Sequence, residues 1–244
     1  MPAQAAVSGG GGPGAGTLPR VRVAGIVLAA GRSSRMGPER NKLVEPIAGR
    51  PLVAWPVDAL LEAGVDPVLV VTGFEAERVQ SALGGSSCRF VRHERWSEGM
   101  GSSLARGMRE LLALALWPPL EAVLVCVGDL PGLRAEHVTR VIEAALEARA
   151  APDTNDEKST IPPTALVVPT HATRRGHPVL FGSRYFADLA RVTGDEGARS
   201  ILIQNKHSVN LFELDSPAIL ADIDTPVDLA EARSQHELKP VEKR

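Results

Sequence analysis

The sequence predicts an α/β protein built around parallel strands, and three stretches carry that expectation. The apolar run Val21–Leu28 (VRVAGIVL) stops abruptly at Ala29-Ala30-Gly31. A helical pattern and a second apolar run, Val65–Thr72, follow it, and strand, loop, helix and strand within this length make a βαβ unit with a right-handed crossover. Glu121–Gly128 (EAVLVCVG) is the most apolar strand of the chain and ends in Gly128-Asp129-Leu130-Pro131.

Composition narrows the class. The 244 residues are 44% hydrophobic and 23% charged, with a formal net charge of -2, and this describes a soluble globular chain long enough for one large α/β domain or two small ones. Lys+Arg at 27 is balanced by Asp+Glu at 29 with no basic block, so no nucleic-acid surface is expected. No run of about 18 apolar residues exists to cross a membrane. Cys88 and Cys126 are the only cysteines, and Cys126 lies inside an apolar strand as a small core residue, which suits a reduced, cytoplasmic setting. Residues 1–19, Gly/Ala-rich around GGGGPGAG, lack the basic start and apolar centre of a secretion signal and read as a disordered extension, with the domain spanning 20–233.

The first loop is the most informative segment. After β-strand residues Val21–Leu28 the chain becomes small and polar, with Arg32, Arg35 and Lys42 following Ala29-Ala30-Gly31. Gly31 and Gly37 permit close approach of a ligand, and successive N–H groups in such a turn can cradle phosphate oxygens. Arg35 and Lys42 would neutralise a polyanion, one as a planar fork and the other as a point charge. The spacing is neither G-x-G-x-x-G nor G-x-x-x-x-G-K-[ST], so the dinucleotide fingerprint and the P-loop both fail. An ordinary strand-to-helix connection with solvated arginines fits the same residues.

Further along, Leu52, Val53, Val57, Leu60 and Leu61 fall on helical spacing, closed by Gly64. Arg89–His93 reads as a short strand and Leu104–Leu116 as a helix, for which Ser102 or Ser103 would serve as N-cap. Asp129, just beyond the central strand Glu121–Gly128, is placed where ligands gather in open parallel sheets, although a lone acid there also fits a turn. Arg134–Arg149 reads as a helix. The polar segment 150–164, with Pro152, Pro162 and Pro163, reads as a surface insertion. Ala165–Pro169 and Val209–Leu214 are further strands, and Gly197-Ala198 opens a helix ending near Gln204. In Asp222-Ile223-Asp224-Thr225-Pro226-Val227-Asp228, Thr225 would cap a helix with Pro226 in its first turn and Asp228 near its positive end. Alternation puts Asp222 and Asp224 on one side of the extended segment, away from Ile223. Residues 234–244 form a charged tail.

Taken together, L-A-A-G-R-S-S-R-M-G with Lys42, the S-S-L element at Ser102-Ser103-Leu104, G-D-L-P at Gly128–Pro131, R-G-H-P-V-L-F at Arg175–Phe181 and G-D-E-G-A-R at Gly194–Arg199 resemble the nucleotidyltransferases related to the molybdenum-cofactor cytidylyltransferases and guanylyltransferases. The resemblance implies a three-layer α/β/α, Rossmann-like domain with a mostly parallel, mixed sheet. It implies a Mg2+-dependent enzyme that joins CTP, or another nucleoside triphosphate, to a molybdopterin-type acceptor and releases pyrophosphate. A molybdenum hydroxylase would then be the client of the product. By the same resemblance, Leu28, Ala29, Ala30, Gly31, Arg35, Lys42, Ser102, Ser103 and Asp129 would bind the nucleotide, with Arg35 and Lys42 catalytic. Asp129 and Asp224 would hold the metal, with Asp222 as neighbour or alternative, and Arg175, His177 and Asp195 would meet the acceptor. Ala30 stands where the guanylyl-transferring branch tends to carry a second glycine, which leans towards CTP. Other nucleotides, other phosphorylated small acceptors and a non-catalytic cofactor carrier are the alternatives.

Overall fold

A computed structural model describes residues 21–37, 41–116, 119–148, 160–220 and 222–237. The N-terminal extension, most of the 150–164 insertion and the end of the charged tail lie outside the described residues. The buried run Val23–Ala29 forms β1, and short 3-10 turns at Ser34–Met36 and Lys42–Val44 carry the chain into a small hairpin, β2 (Pro46–Ile47) and β3 (Arg50–Pro51). Helix α1 (Ala54–Glu62) and strand β4 (Val68–Thr72) complete the first βαβ unit, with β4 parallel to β1. Next come α2 (Ala76–Ala82), β5 (Arg89–Arg92), α3 (Met100–Ala113), β6 (Ala122–Val127) and α4 (Ala135–Glu147). The second half holds β7 (Leu166–His171), β8 (Arg174–Arg175), β9 (Val179–Gly182), α5 (Phe186–Leu189), α6 (Arg199–Gln204), β10 (Asn210–Glu213) and α7 (Pro226–Glu237).

The strands assemble in the order β10-β7-β9-β6-β1-β4-β5, with β8 paired to β7. Every pair on the β6-β1-β4-β5 side is parallel, whereas β9 runs antiparallel to both β6 and β7. This is the mixed, mostly parallel sheet that the sequence implies. Along β1, Val23 and Val27 pack with Leu60 of α1 and Val141 of α4, while Ala24 and Ile26 pack with Leu104 and Met108 of α3. Two apolar layers on opposite faces make the three-layer sandwich. Each large apolar side chain so removed from water contributes about 1.5–3 kcal/mol, so burial on both faces dominates the stability of the central strands.

β1 lies between β4 and β6, and the chain leaves it first towards β4 and β5, then returns to its other side with β6. That reversal opens a crevice at the carboxyl ends of β1 and β6, the usual ligand position in open α/β sheets. A third, smaller cluster of Met36, Ile47, Leu52, Ile223, Leu229 and Ala232 clips α7 and its leading segment against the hairpin that follows the first loop. The backbone N–H of Ile223 also donates to the Asp129 carbonyl at 3.2 Å. Residues almost a hundred positions apart are thereby drawn to one end of the sheet.

Several local expectations change. Helix α3 starts at Met100, four residues before the expected start, so neither Ser102 nor Ser103 is its N-cap; Gly99 holds that position. Gly99 has φ +104°, and a Cβ there would lie 2.6 Å from the Gly194 carbonyl oxygen, so the close approach of the 194–195 loop demands glycine. The two serine hydroxyls instead donate back to the Gly99 carbonyl, at 2.8 and 3.5 Å. Within the described end of the insertion, Thr160, Pro163 and Thr164 are exposed as expected, but Ile161 is buried, and its N–H donates to a Glu121 carboxylate oxygen at 2.7 Å. The first residues of the charged tail extend α7 to Glu237. Among the described residues no helix is long and apolar enough to cross a membrane.

Candidate active site

A cavity of about 920 Å3 opens at the carboxyl ends of β1 and β6. Leu28, Ala30, Gly31 and Arg35 of the first loop line it, together with Lys42, Ser103, Asp129 and Asp224. Arg175, His177 and Asp195 from the second half of the chain complete the wall, as does Asp222 beside Asp224. Ala29 and Ser102 do not reach it. Ala29 is buried in the core layer that faces α1 and α4, and Ser102 Oγ, whose proton goes to the Gly99 carbonyl, accepts from His93 Nε2–H at 2.9 Å.

Lys42 is fixed at its backbone and reaches inward with its side chain. Its N–H donates to Ser33 Oγ at 3.0 Å, and its carbonyl accepts from the Glu45 N–H as the 3-10 turn closes. Asn41 caps that turn, its side-chain oxygen accepting from Leu43 N–H at 3.1 Å. The Lys42 ammonium lies 2.6 Å from Asp129 Oδ2 and 3.0 Å from Asp224 Oδ1. Burial opposes its charge, but attraction and hydrogen bonding from Asp129, then from Asp224, prevail and raise its pKa above the ordinary value. Arg35 takes the second oxygen of Asp224.

Asp224 is held by the helix cap that the sequence suggests. The Asp228 carboxylate accepts from the N–H groups of Asp224 and Thr225 at 3.0 and 2.7 Å, and Asp228 N–H donates to Thr225 Oγ1 at 3.2 Å. Those backbone bonds, that of Asp224 first, hold the Asp228 carboxyl below the usual carboxylate range. Asp129 keeps one buried oxygen, Oδ1, with no hydrogen-bond partner. An orphaned carboxylate oxygen beside a second acid is a hard donor set, and it suits a magnesium ion that takes one or two carboxylates and completes its shell with water and phosphate. Among the described residues no group of three or more metal-ligating side chains is gathered, so two acids are what the protein would provide.

The opposite part of the wall is built differently. β8 presents Arg174 and Arg175, both exposed, and neither enters an ion pair among the described residues. His177 follows, its Nδ1 3.4 Å from the Val125 carbonyl oxygen. Burial pushes its imidazole pKa down, against weaker upward pulls from that carbonyl, Asp129 and Asp222, so it is neutral near pH 7. Asp195 stands on the Gly194 loop that packs against the start of α3, where Gly101 N–H donates to the Gly194 carbonyl at 2.7 Å.

Three features escaped the sequence. Trp96 lines the cavity and meets Phe74 edge-on at 5.6 Å, while the Arg32 guanidinium covers the other ring at 5.3 Å from its centre. Arg174 joins Arg175 on the wall. His93, at the end of β5, supports Ser102 from below. Only the R-R doublet carried a readable signal; single residues at strand ends carry none.

Residues 25–209 match the MobA-like NTP transferase domain. A nucleotidyl transferase of known structure from Methanothermobacter superposes with a TM-score of 0.70 at 25% identity, over 89% of this chain and 98% of that one. The bifunctional protein GlmU of Anaeromyxobacter dehalogenans is 39% identical over 140 residues, 55% of this chain but only 28% of that longer protein. Nicotine blue oxidoreductase from Paenarthrobacter nicotinovorans is 31% identical over 204 residues, covering 83% of this chain and 92% of that protein.

Proposed function

The chain belongs to the MobA-like NTP transferase domains, and from that premise we propose that it is a cytidylyltransferase joining CTP to a molybdopterin-type acceptor. The observation that carries the proposal is the Arg35–Asp224–Lys42–Asp129 array, which combines two cations from a phosphate-sized loop with two acids at the switch point of the sheet. In the reaction an oxygen of the acceptor phosphate attacks the α-phosphorus of CTP. The bond to the bridging oxygen breaks, and pyrophosphate departs with that electron pair. Arg35 and Lys42 offset the charge that accumulates on the phosphates, which is the main demand of such transfers. Asp129 and Asp224 would hold magnesium, which when bound shields the triphosphate. Arg175, His177 and Asp195 orient the acceptor, so that attack becomes in effect unimolecular. The Ala30 position and the start of α3 set nucleotide choice.

Purified protein incubated with Mg2+ and CTP, GTP, ATP or UTP, with and without molybdenum cofactor, tests this. Cofactor-dependent pyrophosphate with CTP is the expected result. Preference for GTP moves the assignment to guanylyl transfer, and reaction only with another phosphorylated acceptor leaves the transferase class without this acceptor. A second reading comes from the relative named as an oxidoreductase, which this chain matches along nearly its whole length. Redox turnover of nicotine blue in place of pyrophosphate release would favour it.

A further inference from the structure

Three of the four carboxylate oxygens in the acid pair already face a cation. Lys42 Nζ bridges Asp129 Oδ2 and Asp224 Oδ1 at 2.6 and 3.0 Å, and Arg35 holds Asp224 Oδ2. The fourth, Asp129 Oδ1, is shut off from solvent without a partner. Two acids and two cations cancel, so the cluster is neutral by itself. A divalent ion shared by these acids would need the space that Nζ fills, and it would meet two positive groups at close range.

We propose that Lys42 is a resident counter-ion in the metal position of the Asp129–Asp224 pair, released only when a polyphosphate draws the ammonium onto its own oxygens. Metal loading is then conditional on nucleotide; for the identity of that polyphosphate the proposal rests on the nucleotidyl-transfer reading. The geometry permits the exchange. The Lys42 backbone is tied to Ser33 and to its own turn, so only the flexible four-carbon stem has to swing. Arg35, with 70% of its side chain exposed, is free to turn the same way. When both cations move to the phosphates, the acids are left with two negative charges, which one divalent ion balances. Asp129 and Asp224 stay in place, because the Asp129 carbonyl pairs with Ile223 and the Asp228 cap fixes Asp224. Linkage makes the coupling reciprocal: whatever the nucleotide adds to metal affinity, the metal adds to nucleotide affinity.

The test uses the full chain and Mn2+ alone, its free fraction followed by electron paramagnetic resonance without nucleotide. Wild type should bind weakly, and Lys42→Gln about tenfold or more tightly, within the usual range of site-to-site coupling. Adding Asp129→Asn to Lys42→Gln should abolish the gain. Because Lys42→Gln leaves the largely buried Asp129 unpaired and could unfold, Arg35→Ala at an exposed position provides a second variant, expected to tighten Mn2+ by about threefold. Calorimetry of CTP in EDTA should still detect binding to wild type, weakened by about tenfold in Lys42→Gln. Equal Mn2+ affinity in wild type and both folded variants, a gain that survives loss of the Asp129 carboxylate, or CTP binding that needs metal first would overturn the proposal. Tighter Mn2+ binding in the variants, with no pyrophosphate released by wild type from any nucleotide, would instead remove the assigned activity and keep the lysine's role.

Discussion

Where the cavity wall follows β1 and β6, Arg35, Lys42, Asp129 and Asp224 are joined by ion pairs, with only Asp129 Oδ1 left without a partner among them, whereas the wall on β8 leaves Arg174 and Arg175 without ion pairs among the described residues. The first region is neutral and interlocked, tied to three elements by backbone hydrogen bonds and a small apolar cluster. The second is an open hairpin with spare positive charge. The difference teaches a division of labour. Under the proposed transfer, an array of paired charges would have to rearrange around a ligand, which would place its residues where charge changes during reaction. Unpaired arginines would make contacts that are much the same before and during reaction, which would place them in binding.

Substitutions on the two walls should therefore separate in kinetics. Asp129→Asn keeps the shape of the side chain and removes its charge, and turnover with CTP should fall by about 100-fold or more, the scale of losing one strong electrostatic contact in a transition state. Thermal melting of the variant checks that the fold survives. Near-normal turnover in Asp129→Asn would erase the distinction between the walls at its most important point.

Arg175→Ala should show the opposite pattern. An exposed arginine that grips an anionic acceptor in both ground and transition states raises the acceptor KM by about tenfold when lost, with kcat nearly unchanged. Arg174→Ala should do the same more weakly, and neither should alter the KM for CTP. A drop in kcat at constant KM for Arg175→Ala would move that residue into the reacting array and break the comparison from the other side.

The two walls were also unequally legible in the sequence. β1, β4 and β6 announced themselves as apolar runs, and the first loop put its small residues and cations within one contiguous stretch, so the fold class and a loop that lines the cavity could both be read. The contact of Asp224 with Lys42 was not readable, because it depends on Ile223 and Leu229 packing on a hairpin far back in the chain. The early start of α3 was hidden by Gly99 and Gly101, the second a poor helix residue held in the first turn by tertiary contact: a Cβ at Gly101 would lie 2.5 Å from the Thr193 carbonyl oxygen. Helix α2 opens from Glu75 in the left-handed region without any side-chain cap, so no local signal marks it. His93 and Trp96 became part of the site's support only through what folds against them.

The smallest effect concerns pH, and it sharpens the contrast because Lys42 on one wall is raised and His177 on the other is lowered, each away from neutrality. On the β1 side, Lys42 has a pKa raised above its ordinary 10.5 by Asp129 and Asp224 against the cost of burial, so its stabilising contribution is complete below 10.5 and is lost as pH rises through the higher folded value. On the β8 side, burial lowers the His177 pKa from 6.5, as it does for His93 and His137. For each of these the unfolded chain takes up a proton first, so stability is complete above 6.5 and is lost as pH falls through the folded value. Burial also raises the thiol pKa values of Cys88 and Cys126 from 9.0, so the unfolded chain ionises first there and stability declines above pH 9.0. The melting temperature should accordingly be level between pH 6.5 and 9.0 and fall on both sides. On the acid side the slope is about 1.4 kcal/mol per pH unit for each extra proton bound by the unfolded chain. His137 gives the cleanest check, since its Nδ1 accepts from the Arg134 N–H at 3.2 Å at the start of α4, away from the cavity wall. Gln supplies an acceptor there without titrating, so His137→Gln should make the acid limb shallower and leave turnover unchanged. An acid limb as steep as that of wild type would show that the protons are taken up elsewhere, and a melting temperature that climbs as pH drops below 6.5 would contradict the neutral state assigned to all three histidines.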